Sequence, residues 1–240
     1  NRDGFQEYFS QSFGGGLDVG LNLLHLYPDY TWDPVSGDLF TDQVSYNNIL
    51  LDPYFRKMDF TDLAFAWRRR WVNKTAAKAL LPEKAKEIDK MLPSGVKDGR
   101  FPLQAELINL DTNRLFAYDE FHYRTTREAT MIIDPKTGES TEWEDEGDEE
   151  IKDELKMVLQ QQPWLKVKKM QVPTVKLGIC LGGKAMYHGN NQLNIDDYPF
   201  APMLCYHEPD IQSYAWRVQG IVRGLRDVQY LYNMRKVIEM

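Results

Sequence analysis

The densest chemistry in this 240-residue sequence is the run Arg68-Arg69-Arg70. Three successive guanidinium groups could hold nucleic-acid phosphates through charge and counterion release. On a strand, however, successive side chains point to opposite faces, so the run divides instead of forming one compact clamp. Ion pairs with carboxylates of the same chain or of a neighbouring subunit stand beside DNA contact as the alternative role.

Other candidates lack the spacing their chemistry needs. A dinucleotide fingerprint begun at Gly14 requires glycine at position 19, where Val19 stands, and a strand before it, where the pattern is helical. No phosphate loop of the Walker type occurs, so a P-loop motor is excluded. The four histidines His25, His122, His188 and His207, with Cys180 and Cys205, offer Cys205-Tyr206-His207 downstream of Cys180 and His188, but lack the paired ligands on tight turns that mark zinc sites, and both cysteines fall in expected strands as core residues. Neither metal nor cofactor is expected. No nucleophile elbow or local cysteine signature is present, although a triad assembled in space stays open. Asp59 with Asp62, and Asp196 with Asp197, read as turn formers and caps before they read as paired acids. The acidic stretch from Glu142 to Glu154 lacks the alternating ligands and central glycine of a calcium loop, and reads as a solvated edge. No catalytic residue is assigned.

The totals agree. Hydrophobic residues make up 42% and charged residues 27% of the chain, enough to build a core. The net charge of −7 gives no overall basic footprint for tight nucleic-acid binding. Two cysteines form no disulfide framework and suggest a reduced, intracellular setting, where the Asn73-Lys-Thr75 sequon means little. No stretch is apolar over the length a membrane span needs. The start at Asn1 and the uncapped helical pattern through Met240 read as a piece of a longer protein.

The elements that would position these residues follow from periodicity. A helix is expected over residues 1–13, ended by Gly14-Gly15-Gly16. Strands are expected from Leu21 to Tyr30 and from Leu39 to Tyr46, around a turn at Asp33-Pro34-Val35-Ser36-Gly37. Leu63 to Trp71 alternates as a strand, with Leu63, Phe65, Trp67, Arg69 and Trp71 on one face. Asn73 or Thr75 can cap the next helix, and a short amphipathic helix runs from Glu83 to Leu92. A loop from Pro93 to Pro102 precedes one or two strands in Leu115 to Ile133. The turn Asp134-Pro135-Lys136-Thr137-Gly138 follows, and then a helix carrying Ile151, Leu155, Val158 and Leu159. Strands are expected at Leu165–Met170, Thr174–Leu181, Lys184–Tyr187 and Phe200–Tyr206, with Gly182-Gly183 as a tight hairpin. From about Gln219 a final packing helix carries Val218, Ile221, Val222, Leu225, Val228 and Tyr232 on one stripe. The fold class is α+β, with mainly antiparallel sheets, several helices and a long helix at the end.

Two stretches resemble a known family. One is Val44-Ser45-Tyr46-Asn47-Asn48-Ile49-Leu50-Leu51-Asp52-Pro53-Tyr54, followed by Met58-Asp59-Phe60-Thr61-Asp62-Leu63 and Trp67. The other is Tyr198-Pro199-Phe200-Ala201-Pro202-Met203, followed by Gly220-Ile221-Val222-Arg223, Asp227, Gln229, Tyr232, Asn233 and Arg235. Together they resemble podovirus-type tailed-bacteriophage portal proteins, with the acidic insert as a departure. The resemblance implies a ring of identical subunits, typically a dodecamer, at the portal vertex of the virion, assembled in the host cytoplasm. Such a ring passes double-stranded DNA without sequence preference, docks the terminase motor and tail adaptors, and meets the major capsid and scaffold proteins, with no membrane partner. It implies a wing-like α+β region over 1–110, a β-rich clip-like region over 111–212, and the start of a stem or wing helix over 213–240. It also implies structural or oligomer contacts for Asp52, Pro53, Asp59, Asp62, Trp67, Arg223, Asp227, Gln229, Tyr232 and Asn233. From other classes, a nucleic-acid-processing enzyme with a spatially assembled acidic and histidine site, and a monomeric adaptor, are the alternatives.

Overall fold

Glycine placement decides how the first helix meets its sheet. A computed structural model describes residues 4–30, 35–93, 115–143, 157, 159 and 162–239. The expected loop at 94–102, most of the acidic stretch, its following helix and residues Asp33 and Pro34 lie outside the described residues. The chain forms two units, Asn1–Tyr123 with Val175–Met240, and Arg124–Thr174.

In the first unit, helix α1 (Phe5–Val19) runs through the glycine triplet and ends at Gly20, which has φ 107°. The expectation that Gly14 to Gly16 stop the helix is corrected, and packing supplies the reason. A Cβ on Gly16 would stand 2.8 Å from the Met203 carbonyl oxygen, and one on Gly15 would strike the Asn22 amide. Each helical glycine costs up to about 1 kcal/mol relative to alanine; at these two positions close backbone approach offsets it. The Ser12 hydroxyl, also buried, donates to the Leu23 carbonyl at 3.3 Å.

Strand β1 (Leu21–Asp29) lies between β2 (Asp38–Val44) and β9 (Phe200–Leu204), antiparallel to both. Residues Leu21 to His25 are all buried, as expected for a central strand covered on both faces. A second sheet orders β3 (Ile49–Leu51), β4 (Phe65–Asn73), β5 (Leu115–Ile133), β7 (Lys166–Leu181) and β8 (Lys184–Asn190) in that sequence. Gly182 and Gly183, at φ 57° and 86°, make the β7–β8 hairpin; two positive φ values are what a type I′ turn demands. The two strands expected between Leu165 and Leu181 are one, continuing through Pro173. The strand expected over Phe200–Tyr206 instead breaks at Cys205; β10 (Tyr206–His207) pairs with β11 (Val218–Gln219).

Asn73 rather than Thr75 caps helix α2 (Lys74–Leu80), its Oδ1 accepting from the Ala76 N–H at 2.8 Å. Helix α3 (Ala85–Lys90) follows a short 3-10 turn begun by Pro82. One apolar cluster gathers Leu23, Val44, Phe55, Phe60, Leu63 and Phe200; a second gathers Ile88, Phe116, Tyr118, Leu177 and Leu181. Helix α4 (Ile221–Glu239) closes the described chain and buries no residue.

In the second unit, residues 130–133 of β5 pair with β6 (Ser140–Trp143). The Asp134–Gly138 turn joins them as expected: Asp134 Oδ1 accepts from the Lys136 N–H at 2.8 Å, and Gly138 has φ 76°. Arg127 pairs with Glu142, and the Lys136 ammonium lies 3.6 Å from the Trp164 ring centroid.

Candidate functional site

Strand register gathers the arginine run onto acids of the neighbouring strand. Arg68 stands opposite Glu120, and Arg69 opposite Asp119. Arg69 is 2% exposed. Its Nε and Nη2 donate to the two oxygens of Asp119 at 2.6 and 2.7 Å, the forked geometry that makes such pairs strong. The same guanidinium lies 5.7 Å from the centroids of both Trp67 and Trp71. The side chains therefore alternate between faces as the sequence indicated, and Arg68 and Arg70 share the other one.

On that face Glu120 accepts from Arg70 at 2.6 Å and from Arg68 at 3.5 Å. Arg68 also donates to Asp42 at 3.3 Å and to His25 Nδ1 at 2.8 Å. Because guanidinium can only donate, His25 Nδ1 must accept, which places the imidazole proton on Nε2. Burial, followed by the Arg68 charge, pushes the His25 pKa down to about 2. Burial likewise pushes His122 down to about 4. Burial and then the Glu120 charge push the Tyr118 hydroxyl up to about 12. All three groups are neutral at pH 7, and the layer carries its charge in arginine–carboxylate pairs.

The loop from Asp52 to Ala64 is organised by the first family-like segment. Asp52 accepts from the N–H groups of Tyr54 and Ala64, at 2.9 and 3.2 Å. Asp59 accepts from the Thr61 N–H and hydroxyl, which hold its carboxyl below the usual range. Asp62 accepts from the Arg56 and Lys57 N–H groups. Phe60 takes a left-handed φ of 62° while its ring is buried. The second segment reaches this loop through the Tyr198 hydroxyl, which donates to the Leu63 carbonyl at 2.8 Å; Arg217, outside both segments, donates to the Pro53 carbonyl at 2.5 Å.

Helix α4 carries the remaining motif residues. Arg223 stacks on Trp216 at 3.7 Å. Asp227 accepts from Arg226, and Asn233 Oδ1 accepts from Gln229 at 2.9 Å. Tyr232 is 57% exposed, with the Lys236 ammonium 5.9 Å from its ring centroid. Of the expected stripe Val218 packs against the first apolar cluster, while Val222, Leu225, Val228 and Tyr232 are exposed.

Among the described residues no three His, Cys, Asp or Glu side chains gather as metal ligands. His188 meets the Tyr123 hydroxyl, His207 stacks on Phe55, and Cys180 and Cys205 are half-buried thiols. Asp197 accepts from the Tyr198 N–H. Sequence reasoning missed Asp119, Glu120 and Arg217. For the first two a signal existed: adjacent acids inside an aromatic strand need buried cationic partners, and the arginine run offers them in register.

Among the described residues no helix is long and apolar enough to cross a membrane. No curated protein matches the sequence. The profile of the family described as Phage P22-like portal protein matches residues 1–239, spanning both the anchored loop and α4, and the chain belongs to that family.

Proposed function

We propose that this chain is a structural subunit of a phage portal ring, through which double-stranded DNA is packaged and ejected and on which the terminase motor and tail adaptors dock. The family match over residues 1–239 carries the reading. The ring, a dodecamer by family likeness, sits at the portal vertex of the virion after assembly in the host cytoplasm, where it also meets capsid and scaffold proteins. Residues 1–110 serve as its wing, 111–212 as its clip-like region and 213–240 as the start of its stem or wing helix. The exposed apolar residues of α4 support assembly, since interfaces bury such side chains.

DNA passes without sequence preference in this reading. The net charge of −7 and the engagement of Arg68 and Arg69 with acids of their own chain leave little to grip phosphates. Negative-stain imaging and mass photometry of the full-length protein test the proposal. Closed rings with a central channel are expected. A monomer, or a protein that binds duplex DNA tightly at high salt and cleaves it, would overturn the proposal in favour of a nucleic-acid-processing enzyme.

A further inference from the structure

The ionic layer contains one imidazole that it does not satisfy. His122 is 3% exposed. Neither of its ring nitrogens has a hydrogen-bond partner among the protein atoms. Phe200 packs edge-on against the ring, with centroids 5.0 Å apart, and offers no polar atom. A neutral imidazole has one N–H to donate and one lone pair to fill. Left unmet in the interior, each carries its full desolvation penalty.

His122, Glu120, His25 and Gln192 line one narrow crevice of about 10 Å³, together with Leu26, Leu177, Leu193 and Pro199. About 10–15 Å³ is the least space that holds one water molecule, so the crevice is of the size for one. The lining also supplies the partners a buried water needs. Glu120 accepts one bond at each oxygen from Arg68 and Arg70, and a carboxylate has about four acceptor positions. His25 commits Nδ1 to Arg68, which leaves its Nε2–H as a donor.

We propose that a single ordered water occupies this crevice and bridges His122 to Glu120, with the His25 Nε2–H as a further donor in its lining. An anion is disfavoured there by the Glu120 carboxylate. A bare cation would need several oxygen ligands, and the side-chain oxygens of the lining are limited to the two of Glu120 and the one of Gln192. One water satisfies the His122 donor or acceptor without adding charge. It also explains how a polar ring is tolerated against the apolar ring of Phe200.

The test is an experimental density map of the intact protein at a resolution that shows ordered waters. The expected result is one peak within hydrogen-bonding distance of a His122 ring nitrogen and a Glu120 oxygen. A dry crevice, or a peak with the short multiple oxygen contacts of a cation, overturns the proposal. His122→Leu removes both ring nitrogens and should abolish the peak, whereas His122→Gln should retain it. A water that persists unchanged in the leucine variant shows that His122 does not anchor it. Should that variant not fold, the wild-type map still decides.

Discussion

The Tyr198 hydroxyl donates to the Leu63 carbonyl at 2.8 Å, joining residues 135 positions apart in the chain. Both belong to family-like segments, so the bond joins two stretches that the sequence presents as separate motifs. Tyr198 is buried and Leu63 is fully buried, so neither atom can turn to solvent if the bond is lost. Tyr198→Phe removes this buried hydrogen bond and should lower stability by about 0.5–1.5 kcal/mol. Urea unfolding checks this: the midpoint should fall while the slope is unchanged. An unchanged midpoint would show that the Asp52–Ala64 loop is held without this tie.

Gly20 and Gly220 meet where α1 ends and α4 begins. A Cβ on Gly20 would stand 2.6 Å from the Gln219 carbonyl carbon, and one on Gly220 would run into the Asp18 carbonyl. Gly220→Ala should therefore destabilise by about 2–4 kcal/mol, the range of forced backbone displacement. Gly14→Ala is the contrast, because nothing lies within 4 Å of its added Cβ. There the gain in helix propensity should stabilise by about 0.5–1 kcal/mol. Thermal melts of the two variants should move in opposite directions.

The Arg69–Asp119 pair is buried and bidentate. Asp119→Asn breaks this buried pair and should cost up to about 3–5 kcal/mol. Arg69→Lys keeps the charge but loses the fork and its stacking between Trp67 and Trp71, so it should also destabilise. Chemical denaturation measures both. Near-neutral effects would mean that the pair is not closed off from solvent as described.

Much of this fold was legible from periodicity and turn chemistry. The alternation from Phe65 to Trp71, one of the two cap candidates (Asn73) and the hairpin glycines rest on local rules and reached the structure, whereas Leu63 and Ala64, expected in the same strand, lie before it. The glycine triplet did not, because its meaning depends on Asn22 and Met203, which approach α1 from other parts of the chain. The site was less legible for the same reason. That Arg68 faces His25, Asp42 and Glu120 depends on strand neighbours and register, which no single segment encodes. Arg217 gave no signal at all, since its role is to reach carbonyl groups of a distant loop.

Acid should loosen the first unit before its carboxylates titrate. His25 and His122 have folded-state pKa values pushed down to about 2 and about 4, against about 6.5 in the unfolded chain. Below pH 6.5 the unfolded state binds protons that the folded state refuses, so stability falls as pH falls. The loss from these two groups is about 2–3 kcal/mol per pH unit while both remain neutral in the fold. It should begin near pH 6.5, lessen below about 4, where His122 protonates in place, and end near 2. Melting temperatures from pH 8 to 5 test the sign. A stability that is flat across that range would mean that the two imidazoles are solvated in the fold.

Tyr232 separates an assembly role from a folding role. Its side chain is 57% exposed and its ring neighbour, Lys236, lies on the same helix. Within the chain nothing large is lost when it is truncated, and alanine is the better helix former. Tyr232→Ala should therefore leave the stability of the dissociated chain within about 0.5 kcal/mol. Ring yield by mass photometry should nevertheless drop, because the exposed stripe of Leu225, Val228 and Tyr232 has no packing partner to explain it within the described chain. Normal rings from this variant would remove α4 from the assembly surface. Lost stability with normal ring yield would instead restore the packing role that its apolar stripe first suggested.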